Sequence, residues 1–205
     1  MIQKPQGYDE AQAFTGEATQ LPAGCYVCVI KQVAEVKTQN GRPQMAVLFD
    51  IAEGEQKGFY AAQYDAARGS GNEAKWKGVH KQIMDGSSLP FFKGLMTSIE
   101  KSNPGYQFPW GRDGNEKTLI GKKFGAVMGR EQFRTTDGQL KFATKVFQIR
   151  SVDGLKDAKT PEDKLLQENQ AANAQIPFIG GMPPQQDTGF MNIPDSISDE
   201  ELPFN

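Results

Sequence analysis

Residues 21–51 read Leu21-Pro22-Ala23-Gly24-Cys25-Tyr26-Val27-Cys28-Val29-Ile30-Lys31-Gln32-Val33-Ala34-Glu35-Val36-Lys37-Thr38-Gln39-Asn40-Gly41-Arg42-Pro43-Gln44-Met45-Ala46-Val47-Leu48-Phe49-Asp50-Ile51. Leu21 to Gly24 is a turn signal. Cys25 to Lys37 is rich in the β-branched and aromatic residues that suit a pleated surface. Gln39 to Pro43 interrupts it, with Asn40-Gly41 as the hairpin signal. Gln44 to Ile51 then alternates. Met45, Val47, Phe49 and Ile51 are expected on one face, and Gln44, Ala46, Leu48 and Asp50 on the other. A first strand this long has to curl, as the first strand of a small closed barrel does.

Working outward, Glu53 to Gly58 reads as a turn and Phe59 to Tyr64 as a short third strand. Ala66 to Trp76 reads as a loop. Pro90 to Ser102 is the clearest helix: Pro90 suits a first turn and Asn103-Pro104-Gly105 stops it. Phe91, Phe92, Leu95, Met96 and Ile99 fall at helical spacing and predict one apolar face. Phe124 to Phe133 and Leu140 to Val152 are strands joined by the turn Thr135-Thr136-Asp137-Gly138. The order is strand, strand, strand, helix, strand, strand. It predicts a mainly β protein: a five-stranded OB-fold barrel, a Greek-key closure, with one helix between strands 3 and 4.

The ends differ from this body. Residues 1–20 read as an N-terminal arm, 21–157 as the barrel, 158–194 as a flexible linker and 195–205 as an acidic tip. Thr160-Pro161-Glu162-Asp163 reads as the start of a short helix through Leu166, with Thr160 as N-cap. Gln167 to Thr188 is rich in Gln, Asn, Ala, Gly and Pro, a composition that cannot bury enough surface to fold. The net charge of -2 hides an asymmetry. Residues 1–158 hold 21 Lys+Arg against 17 Asp+Glu, and residues 159–205 hold 2 against 8. A mildly basic body with an acidic tail suits a protein that handles polyanions and recruits partners. No apolar run is long enough to cross a bilayer and no signal-peptide pattern is present, so a soluble protein of the cytoplasm is expected. Two cysteines make no disulfide framework.

Candidate chemistry follows residue type. Between Glu116 and Arg150 stand Lys117, Lys122, Lys123, Arg130, Arg134, Lys141, Lys145 and Arg150, against Glu116, Glu131 and Asp137. Phe124, Phe133, Phe142 and Phe147 are interleaved; they serve either as stacking rings or, by their usual burial, as core. A groove for single-stranded nucleic acid needs cations along the backbone path and flat rings for bases. Lys31, Arg42, Lys57, Arg130, Arg134 and Lys141 are the candidate phosphate contacts. Tyr60, Tyr64 and Trp76 are the candidate stacking rings, with Trp110 near Arg112 as another amphipathic ring. Trp76, between Lys75 and Lys77, is equally suited to capping the barrel end.

Other patterns are weaker. Cys25-x-x-Cys28 lies on a strand, where residues three apart point to opposite faces, so two small hydrophobes are expected rather than a metal or redox pair. Asp50 with Glu55-Gln56-Lys57 has the residue types of a metal-dependent nuclease, but the latter three sit in a polar turn. Residues Gly114 to Lys123 lack the spacing of a phosphate loop. One histidine, His80, supports no nucleophile triad. No enzyme activity, metal or cofactor is expected. Asp199-Glu200-Glu201 followed by Leu202-Pro203-Phe204 suits a peptide that docks in a basic-rimmed apolar pocket on another protein.

These features together resemble the single-stranded DNA-binding proteins of bacteriophages, the OB-fold group. The likeness rests on Leu21-Pro22-Ala23-Gly24-x-Tyr26, on Asp50-Ile51-Ala52-Glu53-Gly54 through Lys57-Gly58, on Leu89-Pro90-Phe91-Phe92-Lys93-Gly94, on Ser102-Asn103-Pro104-Gly105 and on Leu119-Ile120-Gly121-Lys122. It spans Pro5 to Asp157. The tip Asp199 to Phe204 is similar to the acidic tip of bacterial single-stranded DNA-binding proteins, which recruits replication and repair proteins. It departs from that pattern at Asn205, which places the terminal carboxylate one residue beyond the Phe. The resemblance implies a protein that coats single-stranded DNA in phage replication or recombination in the bacterial host cytoplasm, without strong sequence preference. Its partners would be single-stranded DNA and, through the tip, replication or recombination proteins; self-association is compatible with it. The competing expectation is an adaptor that binds such proteins and touches DNA poorly.

Overall fold

The computed structural model describes residue 4 and residues 20–69 and 74–166. The acidic tip, most of the arm and the linker beyond residue 166 lie outside them.

Five antiparallel strands form one sheet in the order β3-β2-β1-β4-β5. β1 (Gly24–Lys37) and β2 (Pro43–Ile51) make the hairpin read from the sequence. Its turn closes through Thr38 N–H to the Arg42 carbonyl at 2.9 Å and Gly41 N–H to the Thr38 carbonyl at 2.8 Å. Gly41 sits at φ 75°, where a side chain is costly. β1 pairs along Cys28–Lys37 with β2 and along Gly24–Val29 with β4 (Lys123–Arg134). The register of β1 against β2 shifts between Ile30 and Gln32, leaving Lys31 as the extra residue of a bulge. β4 continues into β5 (Leu140–Arg150) through the expected turn.

The third strand is elsewhere. Phe59 to Tyr64 is not extended: it begins α1 (Phe59–Gly69), and β3 is Val79–Ile83. Four alanines in the segment favour helix, and a distant residue secures its start. The Asp50 carboxylate, only 2% exposed, accepts from Tyr60 N–H at 3.0 Å, from Ala61 N–H at 3.3 Å and from Ile51 N–H at 2.9 Å. It thus satisfies first-turn donors that no helix can satisfy itself. Both oxygens of the Asp50 carboxylate accept from backbone amides. The alternation of β2 holds for direction but not for exposure. Gln44, Ala46, Leu48 and Asp50 are as buried as the inward Met45, Val47, Phe49 and Ile51.

α2 (Leu89–Ser102) follows β3. Leu95, Met96 and Ile99 enter the core, and Phe92 is partly buried against it. Phe91 departs from the predicted apolar face and is 58% exposed. β3 and β5 do not pair, so the barrel is not closed. α2 packs against both of these edge strands and spans the gap between them. The result is a mainly β, open five-stranded sheet with two helices, consistent with an OB-like fold.

Cys28 is fully buried and Cys25 is partly exposed; both are free thiols on opposite faces. Gly78 approaches so closely that a Cβ there would lie 2.3 Å from the Phe49 carbonyl oxygen and 2.6 Å from the Tyr60 ring. Residues 160–166 form no helix. Lys164 instead makes a parallel bridge to Glu131, so ordered contact with the sheet runs past the domain boundary expected at residue 157.

Asp50→Ala is expected to lower stability by about 3 kcal/mol, since it strands two first-turn amides and removes a charged acceptor. Asp50→Asn, which keeps one acceptor oxygen, should lose less. Urea unfolding midpoints measure both; equal, small losses would show that the carboxylate does not hold α1.

Candidate nucleic-acid interface

The ring pair Tyr64 and Trp76 is the first cluster. α1 places Tyr64 and Arg68 one turn apart, and the guanidinium lies 5.9 Å from the Tyr64 ring centroid. The segment before β3 brings Trp76 to Tyr64, with centroids 5.7 Å apart and planes tilted by 51°. Trp76 Nε1–H donates to the Phe49 carbonyl at 3.0 Å, which fixes the indole while leaving it partly exposed. Trp76 packs against the core and is partly buried. Lys75 and Lys77 flank it in sequence. Tyr60 does not join this cluster. It is 7% exposed, stands edge-on to Phe49 and Phe59, and burial raises its phenol far above the ordinary value. It is a core ring, unavailable to a base.

The β4–β5 hairpin is the second cluster. Arg130 and Arg134 share one face of β4, with Leu140 and Phe142 on the same face of β5. Arg130 lies 5.3 Å from the Phe142 ring centroid. Lys141 is opposite Phe133 and so points to the other face. Arg130 is paired: its Nε–H donates to Asp163 Oδ1 at 2.8 Å, and its Nη2 to Asp163 Oδ2. Arg134 donates from Nη1 to the Gly138 carbonyl at 3.0 Å.

The remaining candidates are dispersed. Arg42 is held in the β1–β2 turn by Asp85, with Nε–H to Oδ1 at 2.8 Å and Nη2 to the same oxygen at 2.6 Å. Lys57 is exposed in the turn before α1, at the other end of β2, whose nine residues span about 30 Å. Lys31 is exposed on the β1 bulge. Among the described residues Lys31, Lys57, Arg134 and Lys141 form no ion pair. In the rest of the basic stripe, Lys123 pairs with Glu53 at 2.7 Å and Lys145 with Glu131 at 3.2 Å, while Lys122 lies 4.4 Å from the Tyr106 ring centroid.

Sequence reasoning missed Arg68, whose placement beside Tyr64 depends on reading residues 59–69 as helix. It named Trp110 but not the aromatic shelf that this ring forms with Phe92 and Phe108 on the α2 side. Trp110 is 62% exposed and braced edge-on by Phe108, with centroids 4.6 Å apart, and by Phe92 at 6.2 Å. Leu89 and Phe91 are exposed on the adjoining turn of α2. Among the described residues no group of three His, Cys, Asp or Glu side chains is placed to hold a metal ion. Burial pushes His80 down to about 4, against the opposing effect of its hydrogen bond with Gln82. Its imidazole is therefore neutral at neutral pH. No helix among the described residues is long and apolar enough to cross a membrane. No protein-family model matches the chain, and no curated protein matches it.

The segment around Lys164 is secured by charge as well as backbone. Burial pushes the Glu131 carboxyl up, but hydrogen bonds from Lys164 and Lys145 outweigh this and hold it below the ordinary carboxylate value. Such a group stabilises its contacts at and above the ordinary value and loses them as pH falls through the lowered one. Hydrogen-exchange protection of the Lys164 and Gln132 amides should therefore be flat from neutral pH to the usual carboxylate range and drop below it. Protection unchanged to strong acid would show that Glu131 does not secure the segment.

Proposed function

We propose that this chain is a single-stranded DNA-binding protein of the OB-fold type, acting without strong sequence preference to coat and protect DNA in phage replication or recombination. The observation that carries the reading is the half-open Tyr64–Trp76 pair with Arg68 over the tyrosine and lysines on either side of the indole. Partly exposed rings suit bases of any identity, and neighbouring cations suit the backbone. The strand order and the position of α2 support the fold assignment, and OB-folds bind oligonucleotides beside their strands 2–3 and hairpin loops. Here the outward residues of β2 are buried, which favours the α1 side and the β4–β5 hairpin over the strand face itself. In this reading Lys31, Lys57, Arg134 and Lys141 meet phosphates directly, Arg42 and Arg130 do so on leaving their carboxylates, and Tyr64 and Trp76 stack. The tip, residues 199–204, recruits replication or recombination proteins.

The adaptor reading keeps one specific support. The Trp110 shelf, with Leu89 and Phe91 beside it, is the kind of exposed apolar patch that marks a protein-binding surface.

Fluorescence anisotropy of labelled oligo-dT, against duplex of equal length at two salt concentrations, separates the two. Submicromolar binding to the single strand that weakens steeply with salt is expected. Tyr64→Ala should weaken it about tenfold, the equivalent of one stacked base. No binding at low salt would transfer the assignment to the adaptor.

A further inference from the structure

β1 leaves β4 at Gly24, opposite Met128. β4 continues to Arg134 with β5 on its other edge, so the edge that β1 vacates would stand open from Gly129 onward. Residues 161–166 return to fill it. Lys164 N–H donates to the Arg130 carbonyl at 2.8 Å, and Gln132 N–H donates to the Lys164 carbonyl at 2.8 Å. Leu166 N–H donates to Gln132 Oε1 at 3.2 Å. Pro161 sits over Gly129, where an added Cβ would come within 2.8 Å of it and within 2.6 Å of the Phe147 ring. Lys164 Nζ reaches Glu131 Oε1 at 2.6 Å. An edge-lying segment touches both faces of the strand, so Asp163 reaches Arg130 on one face while Lys164 reaches Glu131 on the other.

The carboxylate of Asp163 holds Arg130 in the forked, two-bond manner in which a guanidinium holds a phosphate. Arg130 is otherwise well prepared for a backbone phosphate: it lies by the Phe142 ring, on the same face as Arg134. We infer that residues 161–166 are a strap that occupies a phosphate site on β4, with Asp163 standing in for the phosphate until single-stranded DNA displaces it. This inference rests on the proposed DNA-binding function and specifies how that surface is regulated. The strap has the means to leave. Besides one parallel bridge, the Leu166–Gln132 hydrogen bond and the Pro161 contact, it is held by ion pairs that are partly open to water, which are weak and screened by salt.

The test uses the full chain and three variants, Asp163→Asn, Arg130→Ala and the double variant, in oligo-dT binding over a salt series. Asp163→Asn keeps the shape of the side chain and removes its charge. It should raise affinity about tenfold at low salt, the effect of one added charge-assisted contact. It should also steepen the dependence of log K on log salt by about 0.7, the contribution of one phosphate on a single strand. Both gains should vanish in the double variant, and saturating oligo-dT should reduce hydrogen-exchange protection of the Lys164 amide in the unmodified chain. If the unmodified chain binds and Asp163→Asn changes neither affinity nor slope, the strap is structural and the inference is overturned. It is overturned equally if Lys164 stays protected with DNA bound. If no form binds DNA, the function proposed above fails, and the inference fails with it.

Discussion

One strand has to serve two partners, and the bulge at Lys31 is what lets it. Before the bulge, Cys28 and Ile30 face the core; after it, Val33 does. Without an extra residue, Val33 would fall on the opposite face to Ile30, because side chains alternate strictly along a strand. The bulge turns β1 at the point where its pairing passes from β4 to β2. At the same place the chain before β4 is tied in, through Ile30 N–H to the Lys122 carbonyl at 2.9 Å and Gly121 N–H to the Ile30 carbonyl at 2.8 Å. β2 and β3 are therefore built on one half of β1, and β4 and β5 on the other. The candidate surfaces inherit this division: Tyr64 and Trp76 belong to the β2 side, and Arg130 and Arg134 to the β4 side.

The parts of the fold that could be read from the sequence are those set by neighbours in the chain. The β1–β2 hairpin follows from alternation and Asn40-Gly41, α2 from Pro90 and the stop at residues 103–105, and the β4–β5 hairpin from Asp137-Gly138. What could not be read is set at a distance. Phe59-Tyr60 looks like a strand because aromatic pairs usually do, and the donor-satisfying Asp50 that makes it a helix start lies nine residues earlier on β2. β3 itself is only five residues long. Closure failed for the same reason, since so short a strand presents little edge to β5 while α2 occupies the space between them. The segment at 161–166 looks like a helix start by composition, yet it extends because the vacated edge of β4 offers it hydrogen bonds that a short isolated helix cannot match.

Site residues were legible by type and illegible by environment. Tyr60 and Tyr64 are four residues apart and read alike; one faces the core and the other Trp76. Arg130 and Lys141 belong to adjacent strands, but hairpin register sends them to opposite faces. Arg42 and Arg130 are visible in the sequence as cations, but their carboxylate partners, Asp85 and Asp163, are 43 and 33 residues away. Net charge counts every cation equally, but a guanidinium already engaged by a carboxylate contributes little field to its surroundings.

Internal pairing of cations also affects how a body with only four excess positive charges would hold a polyanion. Intramolecular carboxylates compete at effective concentrations set by the fold that holds them beside their arginines, in the millimolar range or above. A single phosphate or nucleotide in solution cannot outcompete such a ligand. A single strand can, because it brings many linked phosphates and stacking bases, and each contact already made raises the local concentration of the next. In the proposed function, arginines paired internally would make the surface discriminate by length rather than by sequence, the selectivity that coating a strand requires, and would present fewer free cations to other anions. Internal ion pairs of this kind are compatible with nucleic-acid binding where each is weak individually. Arg130–Asp163 and Arg42–Asp85 are both partly open to water, and in the proposed function each would exchange its carboxylate for a phosphate only as part of a longer run of contacts.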